Sequence, residues 1–112
     1  MTFNVGIDIE EVSRFENKDK TLLEKIFSKS ELKKMKSCNA RHLAGMFSAK
    51  EAVIKACSPF ERLKFTDVEI FHKIDGSPYA VVKSEKINMK DLKISISHTK
   101  LYSIAVVILF KM

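Results

Sequence analysis

The ten residues FSAKEAVIKA, Phe47 to Ala56, decide how the rest of this chain is read. Set in a helix running from about Arg41 to Cys57, at ~100° per residue, the apolar side chains Leu43, Met46, Phe47, Val53, Ile54 and Cys57 fall on one stripe. That stripe predicts a long central helix lying on a core. Lys50 lands in its middle. An ammonium there is costly to bury unless its stem reaches water or its charge is paired, so an anionic group is expected beside it. Glu51 and Lys55, four residues apart, point together from a neighbouring face.

Upstream of the helix, Phe3 to Ile9 alternates. Phe3, Val5, Ile7 and Ile9 form the row expected to face the core, which puts Asp8 on the opposite side at the strand's end. Thr21 with Glu24, and Ser28 with Glu31, have the spacing by which a hydroxyl and an acid cap a helix start reciprocally, predicting two short helices over about Leu22 to Lys36.

Downstream, Ser58-Pro59 ends the helical period. Val68 to Lys73 and Tyr79 to Lys83 flank Asp75-Gly76, a hairpin signal, and Lys93 to Ser97 and Tyr102 to Phe110 read as two strands joined by the turn His98 to Leu101. Helices segregated from antiparallel strands make an α+β pattern. At 112 residues the chain is the size of one domain, residues 1–112.

Composition narrows the classes. No apolar run reaches the ~18 to 20 residues of a membrane span, and the opening MTFNVGIDIEEV has no basic-then-apolar signal pattern, so a cytoplasmic protein is expected. Cys38 and Cys57 are too few for a disulfide framework and are expected as ordinary reduced thiols. A net charge of +6 favours polyanionic partners: nucleic acid, phosphorylated cofactors or an acidic protein. The phenylalanines Phe47, Phe71 and Phe110 fall within apolar patterns and are expected in the core, which argues against a nucleic-acid-stacking surface. Gly6, Gly45 and Gly76 stand too far apart for a glycine-rich phosphate loop, so phosphate has to be held by side chains, a metal or helix-end amides.

Asp8, Glu51 with its flanking Lys50 and Lys55, and His98 after Ile94-Ser-Ile-Ser97 are polar groups that the patterning does not require. Taken singly they read as a strand-end acid, a solvated ion pair and a turn residue. Taken together, two carboxylates distant in sequence can hold one hard divalent ion, and Mg²⁺ commonly takes one or two protein carboxylates plus substrate phosphates and water.

In order along the chain, GIDIEEVSRF (Gly6 to Phe15), FSKSEL (Phe27 to Leu32), FSAKEAVIKA, DVEI (Asp67 to Ile70), DGSPY (Asp75 to Tyr79) and SISHT (Ser95 to Thr99) resemble the blocks of the holo-acyl-carrier-protein synthases, the short 4′-phosphopantetheinyl transferases. The likeness spans nearly the whole chain. It implies a compact antiparallel sheet packed on a long central helix, half of the longer pseudo-dimeric transferases, assembled as a homotrimer with active sites at subunit interfaces. It also implies Mg²⁺-dependent transfer of 4′-phosphopantetheine from coenzyme A to a serine of apo acyl carrier protein, with release of adenosine 3′,5′-bisphosphate. No nucleic acid and no membrane partner are implied.

By the same resemblance, Asp8 and Glu51 are metal ligands, Lys55 and His98 meet the coenzyme's phosphates, and Arg14 meets the acidic carrier. For Lys50 the expectation is an ammonium that meets an acid or a coenzyme phosphate near the metal. Three departures stand out. Met46 replaces the usual arginine, Ile54 replaces a small hydroxyl residue, and Cys57 to Arg62 replaces a glycine-bearing turn. Each bears on coenzyme binding, leaving phosphate contacts either altered or supplied by Arg62, Lys64 or Arg41. A coenzyme-binding homologue without catalysis is the alternative these departures raise, ahead of a small basic nucleic-acid-binding module.

Overall fold

A computed structural model describes residues 2–35 and 39–111. Its strands are β1 (Thr2–Glu11), β2 (Val68–His72), β3 (Pro78–Val82), β4 (Leu92–His98) and β5 (Tyr102–Lys111), and its helices are α1 (Lys20–Ile26), α2 (Lys29–Lys34) and α3 (Ala40–Cys57). Short 3₁₀ turns at Val12–Phe15, Phe65–Asp67 and Met89–Asp91 join them. An antiparallel sheet in the order β1-β5-β4 and a separate β2-β3 hairpin complete the architecture.

The predicted central helix is present as α3, started by Asn39, whose side chain accepts from the His42 amide. Ser28 and Glu31 form the reciprocal cap expected for α2. Thr21 does not play that part, because the carboxylate of Asp19 takes the cap and Thr21 lies inside α1. Lys36 and Cys38 fall outside the described residues. Cys57 is a free, buried thiol, pushed by burial up to about 11.

The first strand is turned over relative to expectation. Asn4, Gly6, Asp8 and Glu10 face α3, while Phe3, Val5, Ile7 and Ile9 are exposed at 64%, 52%, 53% and 59%. Gly6 supplies the physical reason: a Cβ there would run into the Ala52 carbonyl oxygen and come within 2.8 Å of the Ala56 amide nitrogen. Helix backbone therefore rests directly on strand backbone, and only the glycine face admits it. The Asn4 amide clinches the contact by donating to the Ala56 carbonyl at 2.8 Å.

The branched row of β1 instead pairs with β5 partners on the sheet's outer face, Phe3 with Phe110, Val5 with Ile108, Ile7 with Val106 and Ile9 with Ile104. Phe110 thus belongs to that face and not to the core. Phe71 is half-buried against Tyr79, also outside the core cluster, whereas Phe47 packs between Phe15 and Phe65 as expected. The core lies between α3 and the inner sheet face, where Ala49, Ala52, Val53 and Ala56 meet Ala105, Val107 and Leu109.

Candidate functional site

Because Gly6 brings β1 against α3, Asp8, one pleat further along, comes up beside the flank of the helix that carries Glu51 and Lys55. The Lys55 ammonium donates to the Ile7 carbonyl at 3.0 Å and approaches Asp8 Oδ1 at 3.5 Å. Asp8 is 11% exposed and Lys55 54%, so the pair sits at the rim of the packed region. Asp8 Oδ2 is buried with no hydrogen-bond partner, an arrangement that costs free energy unless something else binds it. Burial, and then the charge of Asp8, raise the Glu51 carboxyl above the usual carboxylate range, while Lys55 opposes them.

Glu10 completes this patch and was missing from the sequence reading. It is buried, two residues beyond Asp8 on the same strand face, and its carboxyl is raised to about 7, first by burial and then by a hydrogen bond with Asp8, Asp8's charge and, after the opposing charge of Arg14, that of Glu51. That hydrogen bond requires a proton on Glu10; with Glu10 ionised, no described residue meets Asp8 Oδ2. The far side of Glu10 is held by Arg14, 61% exposed, at 2.9 Å. Period-two alternation would have found Glu10 had β1 been oriented correctly.

Lys50 is elsewhere. It is fully buried, with Nζ 2.6 Å from Glu31 Oε1, donating to the carbonyls of Phe65 and Val68, and 5.3 Å from the centroid of the Phe27 ring. Burial pushes its ammonium below the ordinary lysine value, and Glu31 pulls it back. Glu31 is itself fully buried, accepting from the amides of Ser28 and Ile70. The expected acid partner exists, but it is a core group. With its donors taken by protein, Lys50 cannot touch a coenzyme, and that expectation is corrected.

His98, at the end of β4, lines a second place: a cavity of about 400 Å³ shared with Arg41, His42, Met46, His72 and Pro78. None of Asp8, Glu51 and Lys55 is in that lining. Counting ~100° per residue round α3 with Ala52 and Ala56 toward the sheet, Glu51 and Lys55 fall to one flank and His42 and Met46 to the other. Of the three substitutes considered for phosphate contacts, Arg41 lines the cavity while Arg62 and Lys64 do not. Ile54 is partly buried against the core.

The donor set at Asp8 fits a hard cation. Asp8 carries an orphaned carboxylate oxygen, and its charge reaches Glu51, whose own carboxyl is raised above the usual range. Among the described residues no three His, Cys, Asp or Glu side chains form a ready-made metal cage, so any ion here has to complete its shell with other ligands. Among the same residues no helix is long and apolar enough to cross a membrane.

Comparison with known proteins converges on one group. Residues 4–107 match the model of the 4′-phosphopantetheinyl transferase superfamily. A holo-[acyl-carrier-protein] synthase of Clostridium tetani is 38% identical over 94% of this chain and 93% of its own length, and one of Caldicellulosiruptor bescii is 36% identical over 96% and 98%. The crystal structure of a Bacillus anthracis holo-(acyl-carrier-protein) synthase in complex with CoA (3′,5′-ADP) superposes with a TM-score of 0.80 at 31% identity, covering 95% of this chain and 94% of that one. The Helicobacter pylori synthase in complex with coenzyme A gives 0.80 at 32%, covering 95% and 99%.

Proposed function

This chain belongs to the 4′-phosphopantetheinyl transferase superfamily, among the holo-acyl-carrier-protein synthases, and from that premise we propose that it transfers 4′-phosphopantetheine from coenzyme A to a serine of an apo acyl carrier protein in the cytoplasm. Adenosine 3′,5′-bisphosphate is the leaving product. The observation that carries the reading is the buried, unpartnered Asp8 Oδ2 beside Glu51 and Lys55, on the α3 motif that the likeness singles out.

Asp8 and Glu51 are the residues that would hold Mg²⁺, and the bound ion would supply charge neutralisation of the diphosphate. Lys55, mostly exposed and only loosely tied to Asp8, turns its ammonium to the phosphate oxygens of the incoming coenzyme. The serine oxygen then forms a bond to the phosphorus that carries pantetheine, and the bond from that phosphorus to the bridging oxygen of the diphosphate breaks. Electrons leave with adenosine 3′,5′-bisphosphate. The serine proton goes to Glu51 or to a water held by the metal, the two acceptors within reach of the attacking oxygen. Catalysis of this kind rests on placement and charge more than on covalent chemistry.

Two features support a homotrimer. The outer face of β1 and β5 exposes a continuous apolar row that water does not favour, and the carboxylates and the His98 cavity lie on opposite flanks of α3. A second copy seated on that face buries the row and supplies the missing flank, so each active site draws on two subunits. Arg14, exposed and anchored by Glu10, meets the acidic carrier. Residues 1–112 act as one domain within this assembly.

Incubation with coenzyme A, Mg²⁺ and an apo acyl carrier protein, followed by mass spectrometry of the carrier, tests the reading. A carrier heavier by one phosphopantetheine is expected. Asp8→Ala and Glu51→Ala each abolish the gain, by at least ~100-fold in rate, without loss of fold. Full transfer by either variant refutes the assignment. Coenzyme binding without transfer by the parent protein points to the non-catalytic alternative, for which Met46 in the cavity wall is the favouring observation.

A further inference from the structure

The cavity beside His98 has a composition that the reaction outlined above does not require. Arg41 and His42 enter it from α3, His72 from the end of β2 and His98 from the end of β4, while the β2-β3 turn and the start of β3 contribute Gly76 and Pro78. No Asp or Glu is among its described lining residues. The rings of His42 and His72 lie 5.6 Å apart, centroid to centroid, inclined at 37°. Two imidazoles at that distance cannot both take protons cheaply, with a guanidinium also in the wall, unless an anion stands among them. Burial, followed by the proximity of His72, holds His42 below the ordinary histidine value. In the free protein His42 is therefore held toward its neutral form, ready to be charged when an anion enters.

We propose that His42 and His72, with Arg41, form a proton-coupled clamp for a phosphate monoester, taking up protons as the ligand enters. Coenzyme A carries one such group, on its ribose, whereas its diphosphate is a diester-like bridge that does not titrate near neutrality. The inference rests on the coenzyme reading and assigns to this chain two ligand-binding residues which that reading leaves without a role. Met46 stands in the same wall where the resemblance places an arginine. A fixed cation has in effect been exchanged for two that appear on demand. Affinity for the monoester then strengthens as pH falls through neutrality. A simple fixed-charge site does the reverse, since a phosphate monoester itself gains a proton with a pKa near ~6.

Coenzyme A and dephospho-coenzyme A, which lacks only the monoester, separate this clamp from every other titrating group. Titration calorimetry at pH 8.0 and 6.0, in two buffers of different ionisation enthalpy, reads both affinity and proton uptake. Coenzyme A is expected to bind about tenfold more tightly at the lower pH, with net proton uptake, while dephospho-coenzyme A shows neither change. In the His42→Asn, His72→Asn double variant the selective tightening disappears. His98→Asn weakens binding but keeps the difference between the two ligands. Equal pH dependence for both ligands, or selective tightening that survives the double variant, overturns the clamp and leaves the transferase reading intact. Failure of coenzyme A to bind at any pH overturns both.

Discussion

Lys50 and Lys55 stand five residues apart on α3, and each meets a carboxylate, yet the two ends of that short interval have opposite physics. Lys50 is fully buried, 2.6 Å from an equally buried Glu31, with two backbone carbonyls filling its remaining donors. Lys55 is 54% exposed, 3.5 Å from Asp8, with one carbonyl for company and a carboxylate oxygen nearby left unpartnered. The first pair is closed: every group has what it needs, and nothing remains to offer a ligand. The second is open, and its unmet polar capacity is the mark of a site. A lysine beside an acid is thus not informative until the remaining donors and acceptors are counted.

Breaking the closed pair gives the largest effect expected here. Lys50→Met strands Glu31 in the core, and removal of one partner from a buried ion pair costs about 3–5 kcal/mol. Urea unfolding is the measurement. Adding Glu31→Leu recovers part of the loss, because no buried charge is then left alone. Full recovery is not expected, since Glu31 also satisfies the amides of Ser28 and Ile70. If Lys50→Met unfolds at the urea concentration of the parent, the contrast between the two lysines collapses.

At the open end the imbalance has the other sign, with too many carboxylates rather than too few partners. Glu10 is raised to about 7 in the fold from an ordinary 4.5. Its contribution to stability is therefore fully present below 4.5 and is lost as pH rises through 7. Above that pH the fold carries a buried charge against Asp8 and Glu51. Glu10→Gln should leave stability unchanged near pH 4.5 and raise it at pH 8, in metal-free buffer, by an amount on the order of 2–3 kcal/mol. Thermal melts at the two pH values decide the matter. Equal shifts at both would show that Glu10 is not titrating against its neighbours.

How much of this was legible in the chain follows the same division. The central helix, the hairpin at Asp75-Gly76, both C-terminal strands and the Ser28–Glu31 cap were readable because each depends on local period or local hydrogen bonds. Asp8, Glu51, Lys55, Lys50 and His98 were singled out as polar groups the patterning does not require and given roles by family likeness. The fold gathers the first three in one patch and places Lys50 in the core and His98 at a separate cavity. What failed was the orientation of β1. Alternation states which residues share a face, but it does not state which face meets the helix, and a row of Phe, Val and Ile is the natural guess for the inside. The deciding residue was Gly6, whose absent side chain permits backbone contact with α3. Reading the strand the wrong way round concealed Glu10, since a face taken for solvent gives no cause to ask what an acid does there. His42 and His72 were invisible for a different reason: thirty residues separate them, and only tertiary packing lines them up.

The smallest stability effect completes the comparison and tests it from the other side. Exposed ion pairs are worth roughly 0.3–0.5 kcal/mol, because water solvates both partners and side-chain entropy opposes holding them in place. Lys55→Met should accordingly change the unfolding free energy by less than about 0.5 kcal/mol, an order of magnitude below Lys50→Met on the same helix. Its cost appears instead in function. With no ammonium to meet the phosphates, the affinity for coenzyme A and the transfer rate should both fall by at least ~10-fold, as loss of a charge-assisted hydrogen bond predicts. The neutral Lys55→Gln keeps the side chain polar and should do no better, because what the site lacks is charge. Were Lys55→Met to destabilise the protein as strongly as Lys50→Met while leaving coenzyme affinity intact, the open pair would be a second structural lock. The unpartnered oxygen of Asp8 would then have to be satisfied by something other than a ligand.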